Sequence, residues 1–300
     1  GGSELVKLRV AARDSKLSLI QVELVARRLR DLGYEIEVQG VKTRADLFQD
    51  RPLYSLGKGV FEKEVNVKVI EGEADIAVHS MKDLPSVLDE RIDVFAVLPR
   101  DPPYDVLVSN YPIDDLKPGA VIGTSSVRRE NFLKAYRKDV EVKLLRGNVD
   151  TRLRKLQEGL YDAIVLAEAS ITRMNLGVKY YRLDPHIMVP EPTQGIIAVV
   201  ARKDRKEVIE ALKAINDERT YAEATLERQV VADIGGGCHS PLGVLFRVND
   251  NGIYGIAGIS DGRRKVVVED WFEVDDSNAG HKLAKKLKEA LRSEGLVLKA

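Results

Sequence analysis

Three hundred residues, 44% apolar and 31% charged, exceed what one small core organises and predict two or three domains. Lys plus Arg (47) balances Asp plus Glu (47), so no global field draws nucleic acid or an anionic membrane. No apolar run approaches the ~20 residues of a membrane span, and the single cysteine excludes an intrachain disulfide framework. The opening residues lack the basic and apolar regions of a signal peptide, so a soluble cytoplasmic protein is expected. Any anion recognition must then come from local placement of cations.

In chain order, residues 5–10 read as a strand and 15–31 as a helix, with Leu17, Ile20, Leu24 and Leu32 near one face and a stop at Gly33. A strand over 35–41, a helix over 61–71 and strands over 75–78 and 92–98 follow. Strands separated by helices predict a largely parallel sheet. Proline-rich links stand at 99–103 and 190–192. Between them lie predicted strands at 120–123, 140–145 and 161–166, with helices at 128–136 and 149–158. A strand over 196–201 and a helix over 206–215 come after the second link. The simplest topology sends the chain into a second domain and back, which makes a hinged cleft. From about Glu218 the texture changes. A helix (221–231), a Gly-rich loop, strands at 244–248, 254–259 and 265–272 and a helix (280–292) predict a small α+β domain.

The residues with chemistry in them collect after strands. His79-Ser80-Met81-Lys82-Asp83 follows an apolar strand, where parallel sheets place ligands, and Lys82 beside Asp83 offers a cation and a proton acceptor within one turn. Gly123-Thr124-Ser125-Ser126-Val127-Arg128-Arg129 is a strand–loop–helix entry. Its hydroxyls cap the helix, and its arginines add an anion site to the free N–H groups. Arg146-Gly147-Asn148, with Arg152 one turn on, repeats the pattern, and Arg173 and the pair Arg13 and Ser15 follow other strands. A lone arginine is ordinarily a solvated side chain; recurrence at strand ends predicts a ligand with several carboxylates. Gly57-Lys58-Gly59-Val60-Phe61 lacks the spacing of a nucleotide P-loop and reads instead as a Gly-flanked loop carrying Lys58.

Cys238 stands apart. A lone cysteine is ordinarily a small buried hydrophobe. Three glycines before it and Pro241 after it describe an exposed loop tip, where a thiolate nucleophile fits better. It therefore reads as a covalent attachment point. His79, His186, His239 and His281 show no ligand spacing, so no metal site is expected.

Taken together, these motifs resemble the porphobilinogen deaminase (hydroxymethylbilane synthase) family along essentially the full chain. The matching runs are Arg13-Asp14-Ser15 with Gln21, the 57–64 loop, Asp75 through Pro85, Gly123 through Arg129, Leu145 through Val149, Thr151-Arg152-Leu153, Gln194-Gly195, and Gly236-Gly237-Cys238 with Pro241. The resemblance implies an α/β fold: two periplasmic-binding-protein-like domains (1–98 with 194–216, and 103–189) around a hinged cleft, plus a small α+β domain (218–300). It implies a dipyrromethane cofactor held by a thioether to Cys238, and porphobilinogen as substrate. Four substrate units are condensed head to tail with loss of ammonia, and the linear tetrapyrrole is then hydrolysed off, a step of haem biosynthesis. The implied catalytic group is Asp83, whose carboxylate stabilises positive charge on the pyrrole. Arg13, Ser15, Ser80, Lys82, Thr124, Ser126, Arg128, Arg129, Arg146, Arg152, Arg173 and Gln194 are implied to hold cofactor and substrate. Lys58 and Phe61 match the loop over the cleft, and a cytoplasmic monomer is implied. Departures are Leu56 and Val60 in that loop, Pro192-Thr193-Gln194-Gly195 in place of Gly-Gln-Gly, and Glu168 near Arg173 where small residues are common. The alternative is a non-catalytic solute-binding or ligand-sensing protein of the same two-domain fold. It predicts a secretion signal or a DNA-binding partner and gives no reason for Cys238.

Overall fold

A computed structural model describes residues 6–42, 59–235 and 242–296. The elements in chain order are β1 (Lys7–Arg13), α1 (Lys16–Asp31), β2 (Glu35–Val41), α2 (Val60–Ile70), β3 (Ile76–Ser80) and β4 (Ile92–Val97). Then come β5 (Asp105–Val108), β6 (Val121–Gly123), α3 (Val127–Tyr136), β7 (Glu141–Lys143), α4 (Val149–Gln157), β8 (Ala163–Ala167), α5 (Glu168–Met174) and β9 (Tyr180–Arg182). The chain closes with β10 (Ile197–Arg202), α6 (Lys206–Ile215), α7 (Glu218–Ile234), β11 (Leu242–Asn249), β12 (Gly252–Ser260), β13 (Lys265–Phe272) and α8 (Ala279–Ser293).

Two compact units form: Gly1–Arg100 with Ile196–Tyr221, and Asp101–Gly195 with Ala222–Ala300. In the first, a five-stranded sheet has the order β2-β1-β3-β10-β4. Strands β1, β2 and β3 are parallel, whereas β10 runs antiparallel between β3 and β4. In the second, the order is β7-β6-β8-β5-β9, with β6, β7 and β8 parallel and β5 antiparallel to both neighbours. Each sheet thus takes its reversed strand from the chain just after one of the two proline-rich links. A parallel neighbour requires a crossover connection, usually a helix; a chain arriving from a distant segment has no such requirement and enters either way. The sheets are therefore mixed, where the alternation of strands and helices predicted largely parallel ones.

Both sheets are covered by apolar helix faces. Leu8, Val10, Ile76 and Val199 meet Val22, Val25 and Leu29 of α1 and Val208 and Leu212 of α6 in one core. Leu107, Ile122 and Val165 meet Phe132 and Leu133 of α3 in another, which also takes in Leu245 and Ile256 of β11 and β12. The antiparallel sheet β11-β12-β13 packs Val244, Phe246 and Ala257 against α7 and α8 through Leu226, Val230, Leu283 and Leu287. A Cβ at Gly243 would lie 2.4 Å from the carbonyl oxygen of Val189, so β11 approaches that segment as only glycine permits. The fold class is α/β, with two mixed five-stranded sheets covered by helices and a small α+β part built on the three-stranded sheet. No helix among the described residues is long and apolar enough to cross a membrane.

Candidate functional site

In the first unit the parallel strands β1 and β3 end at one sheet edge, because Val10 pairs with Ile76 and Ala11 with Ala77. That register brings Arg13 and Ser15 to the same edge as Ser80, Lys82 and Asp83. Ser15 caps α1, its hydroxyl accepting from the Ser18 N–H at 3.3 Å. Ser80 donates to Oε1 of Gln21 at 2.7 Å, and Gln21 is buried on α1. Met81–Asp83 form a single 3₁₀ turn directly after β3, which leaves Asp83 exposed and Lys82 half-buried. The Arg13 guanidinium lies over the ring of Phe61, 3.9 Å from its centroid, joining the end of β1 to the first turn of α2. His79, pushed down to about 3 by burial, meets Asn66 of α2 at 2.7 Å. It is neutral at physiological pH and ties α2 to β3 without titrating.

In the second unit the loops after β6, β7 and β8 carry the predicted arginines. Ser126 caps α3 by accepting from the Arg129 N–H at 3.2 Å, and the Thr124 hydroxyl accepts from the Ser126 N–H. Arg128 and Arg129, each 7% exposed, turn inward onto Asp105, which is 0% exposed. Arg128 donates to both carboxylate oxygens, at 3.0 and 2.9 Å, and to the carbonyl of Val189. Arg129 donates through Nε to Asp105 at 2.8 Å, and through its terminal nitrogens, at 3.4 Å each, to the Val165 carbonyl and to Gln194. Burial acts to raise the pKa of Asp105, but the two guanidiniums outweigh it and hold the carboxyl down at about 2. Arg173, on α5, is engaged by Asp101 at 2.7 Å.

Arg146 and Arg152 sit at the entry to α4, which Asn148 caps through the Thr151 N–H. Arg152 donates to the Gly147 carbonyl at 2.9 Å. Burial, then the like charge of Arg129, push its pKa down to about 10, which still leaves it cationic at neutral pH. Among the described residues, Nη1 of Arg146 is a buried nitrogen with no hydrogen-bond partner. A buried, unsatisfied guanidinium nitrogen is costly unless a ligand oxygen or water completes it.

Gln194 is fully buried and donates to the Pro103 carbonyl at 2.8 Å. The two links meet there: the Asp101 N–H donates to the Gly195 carbonyl, and at φ +89° a Cβ on Gly195 would lie 2.5 Å from the Asp101 carbonyl oxygen. Glu168 does not pair with Arg173, as its position in sequence suggested. It is buried and accepts from Arg182 at 2.8 and 3.0 Å and from the Tyr180 hydroxyl. Asp105 was not singled out from sequence; lying just past a run of prolines, it carries no local mark of its role. Cys238, His239 and Lys58 lie outside the described residues. No group of three or more His, Cys, Asp and Glu side chains suited to a metal ion occurs among the described residues.

The family described as porphobilinogen deaminase, dipyromethane cofactor binding domain, matches residues 8–210. The chain is similar to a probable porphobilinogen deaminase of Sulfurisphaera tokodaii, 50% identical over 293 residues that cover 97% of this chain and 100% of that one. It is likewise similar to a probable porphobilinogen deaminase of Metallosphaera sedula, 49% identical over 292 residues, 97% of this chain and 100% of that one. Among solved structures it is similar to substrate binding domain 2 of Lactococcus lactis GlnP in open conformation, at 17% identity and a TM-score of 0.43, over 71% of this chain and 88% of that one.

Proposed function

The chain belongs to the porphobilinogen deaminase family, transferases of porphyrin biosynthesis with a dipyrromethane cofactor, and from that premise we propose that it is a hydroxymethylbilane synthase. It joins four porphobilinogen molecules head to tail, releases one ammonia at each joining, and hydrolyses off the linear tetrapyrrole. The observation that carries this reading is 50% identity spread over 97% of the chain and all of its relative. The cytoplasmic monomer and the three domains (1–98 with 194–216, 103–189, and 218–300) belong to the same proposal.

The residues present fit a group bearing carboxylates, since the buried Nη1 of Arg146 lacks an acceptor among the described residues. Cys238 would hold the dipyrromethane through a thioether, and the group supplies a primer whose terminal pyrrole accepts the first substrate. Arg146 and Arg152 would bind acetate and propionate side chains, with Arg13, Arg129, Arg173, Ser15, Thr124 and Ser126 completing the set. Asp83, exposed at the end of the 3₁₀ turn, accepts the substrate's pyrrole N–H and stabilises the positive charge that develops as ammonia departs. Lys82 beside it binds a substrate carboxylate. Ser80 and Gln21 hold the strand end from which both project. Phe61, in the first turn of α2, and Lys58 complete the proposed active-site segment.

Intact mass of the purified protein, with Ehrlich's reagent as a pyrrole test, checks the proposal. A mass above that of the chain by one dipyrromethane, with pyrrole colour and ammonia release from porphobilinogen, is expected. A mass equal to the chain and no colour, in protein made where porphobilinogen is available, would overturn it.

A further inference from the structure

Glu227, on α7, is 0% exposed, a costly place for a carboxylate unless both oxygens are satisfied. Its oxygens accept main-chain N–H groups from two separate segments: Thr193 at 2.6 Å and Phe246 of β11 at 2.9 Å. Thr193 has φ +65°, a conformation uncommon outside glycine. Its N–H bond to Glu227 and its hydroxyl bond to the Pro192 carbonyl at 2.6 Å hold it there. The next residue, Gln194, donates to the Pro103 carbonyl at 2.8 Å and accepts from Arg129. Pro103 lies two residues before Asp105, whose carboxylate takes both Arg128 and Arg129. A continuous run of hydrogen bonds therefore leads from α7 to the arginine pair.

We infer that Glu227 is a positioning residue for Arg129, acting through the Thr193–Gln194 segment. Helix α7 ends shortly before Cys238. Resting on the proposed function, this role holds the Arg129 guanidinium in place for the carboxylates of the bound chain. Glutamine at 227 keeps the shape but presents an NH2 donor to one of two N–H donors, so one bond is lost and Thr193 is released from its strained conformation.

The test is a double-mutant cycle on the holoenzyme with Glu227→Gln and Gln194→Ala, read as KM for porphobilinogen. Val268→Ala, in the core formed by β11–β13, α7 and α8, serves as a control for lost stability alone. Glu227→Gln should raise KM about tenfold, as expected for the loss of one charge-assisted hydrogen bond, while the control lowers Tm and leaves KM unchanged. The double variant should raise KM no further than Gln194→Ala does, because the two act through one segment. A KM for Glu227→Gln equal to that of the control, or effects that add in the double variant, would overturn the inference. If Glu227→Gln does not fold, Glu227→Asp, which keeps the charge but withdraws it by one methylene, takes its place in the cycle with the same criteria. A wild-type protein without pyrrole or turnover would instead overturn the proposed function, which the same preparation reports separately.

Discussion

Replacing Asp105 with Asn isolates the part of the second unit that the structure makes most demanding. In the wild type one carboxylate at 0% exposure offsets two guanidiniums that are 7% exposed, through bonds of 2.8 to 3.0 Å. Asparagine has one acceptor oxygen in place of two and no charge, so both arginines remain buried without their shared carboxylate. Breaking a buried ion pair from one side costs about 3–5 kcal/mol, a large part of the ~5–15 kcal/mol that separates most folded proteins from unfolding. At ~2–4 °C per kcal/mol for chains of this order of size, Tm should fall by roughly 6–20 °C. The pH dependence gives an independent reading. Because the carboxyl is held at about 2 in the folded protein against an ordinary 3.8, its contribution is present above about pH 4 and is lost as pH falls through 2. That difference corresponds to about 2 kcal/mol. Calorimetric Tm measured from pH 7 down to pH 2 should therefore show a steeper acid limb in the wild type than in Asp105→Asn. A variant whose Tm stays within a degree of wild type, with a parallel acid limb, would refute the assignment of Asp105 as the counter-ion of the pair.

Two further variants separate chemistry from grip. Asp83→Asn should keep the cofactor by intact mass yet lose turnover by about 10²–10³-fold, the usual scale for removing one group that stabilises developing charge; unchanged kcat would remove Asp83 from the mechanism. Arg146→Leu should leave Tm within a few degrees, since its buried Nη1 has no partner among the described residues, but raise KM for porphobilinogen about tenfold or more, for the loss of a charge-assisted contact; unchanged KM with a lowered Tm would make Arg146 structural.

The parts of the fold legible in the sequence are those whose cause is local. The 15–31 helix is announced by its Ser15 cap, which does accept the Ser18 N–H, but the face read from Leu17, Ile20, Leu24 and Leu32 is not the one that covers the sheet: Val22, Val25, Ala26 and Leu29 are buried and Leu32 is exposed. Strands β5 and β9 and helix α5, of four, three and seven residues, were not read from the sequence. The pairing that makes β5 and β9 strands comes from distant segments. The arginines after strands were equally legible as a series. What sequence did not give is which of them the protein already occupies. Arg128 and Arg129 find Asp105 twenty-three and twenty-four positions away, and Arg173 finds Asp101 across 72 positions. Glu168, five residues before the α5 arginine, is instead turned to β9 by Arg182 and Tyr180. No local pattern encodes such partners.

Anchored arginines and a ligand with many carboxylates are compatible, and the bond lengths divide the pair. Arg128 places both terminal nitrogens within 3.0 Å of Asp105, and one of them also serves the Val189 carbonyl. Moving it would uncover a buried carboxylate and a backbone acceptor together. Arg129 is held firmly only through Nε at 2.8 Å; its terminal nitrogens reach their acceptors at 3.4 Å, the weak end of hydrogen-bond geometry. An arginine free in solvent gives up ~2 kcal/mol of rotamer entropy when it is fixed on a ligand. In Arg129 that ordering is largely complete before any ligand arrives, because Asp105 fixes the guanidinium plane while the outer N–H groups stay weakly committed. A carboxylate approaching the nitrogen bonded to Val165 displaces one long bond and meets a donor already oriented, while Gln194 keeps the other nitrogen in place, the condition under which binding loses least to ordering. In the proposed function Arg128 is then the pillar and Arg129 the hand, and the buried Asp105 that sequence did not flag is what makes the second arginine useful.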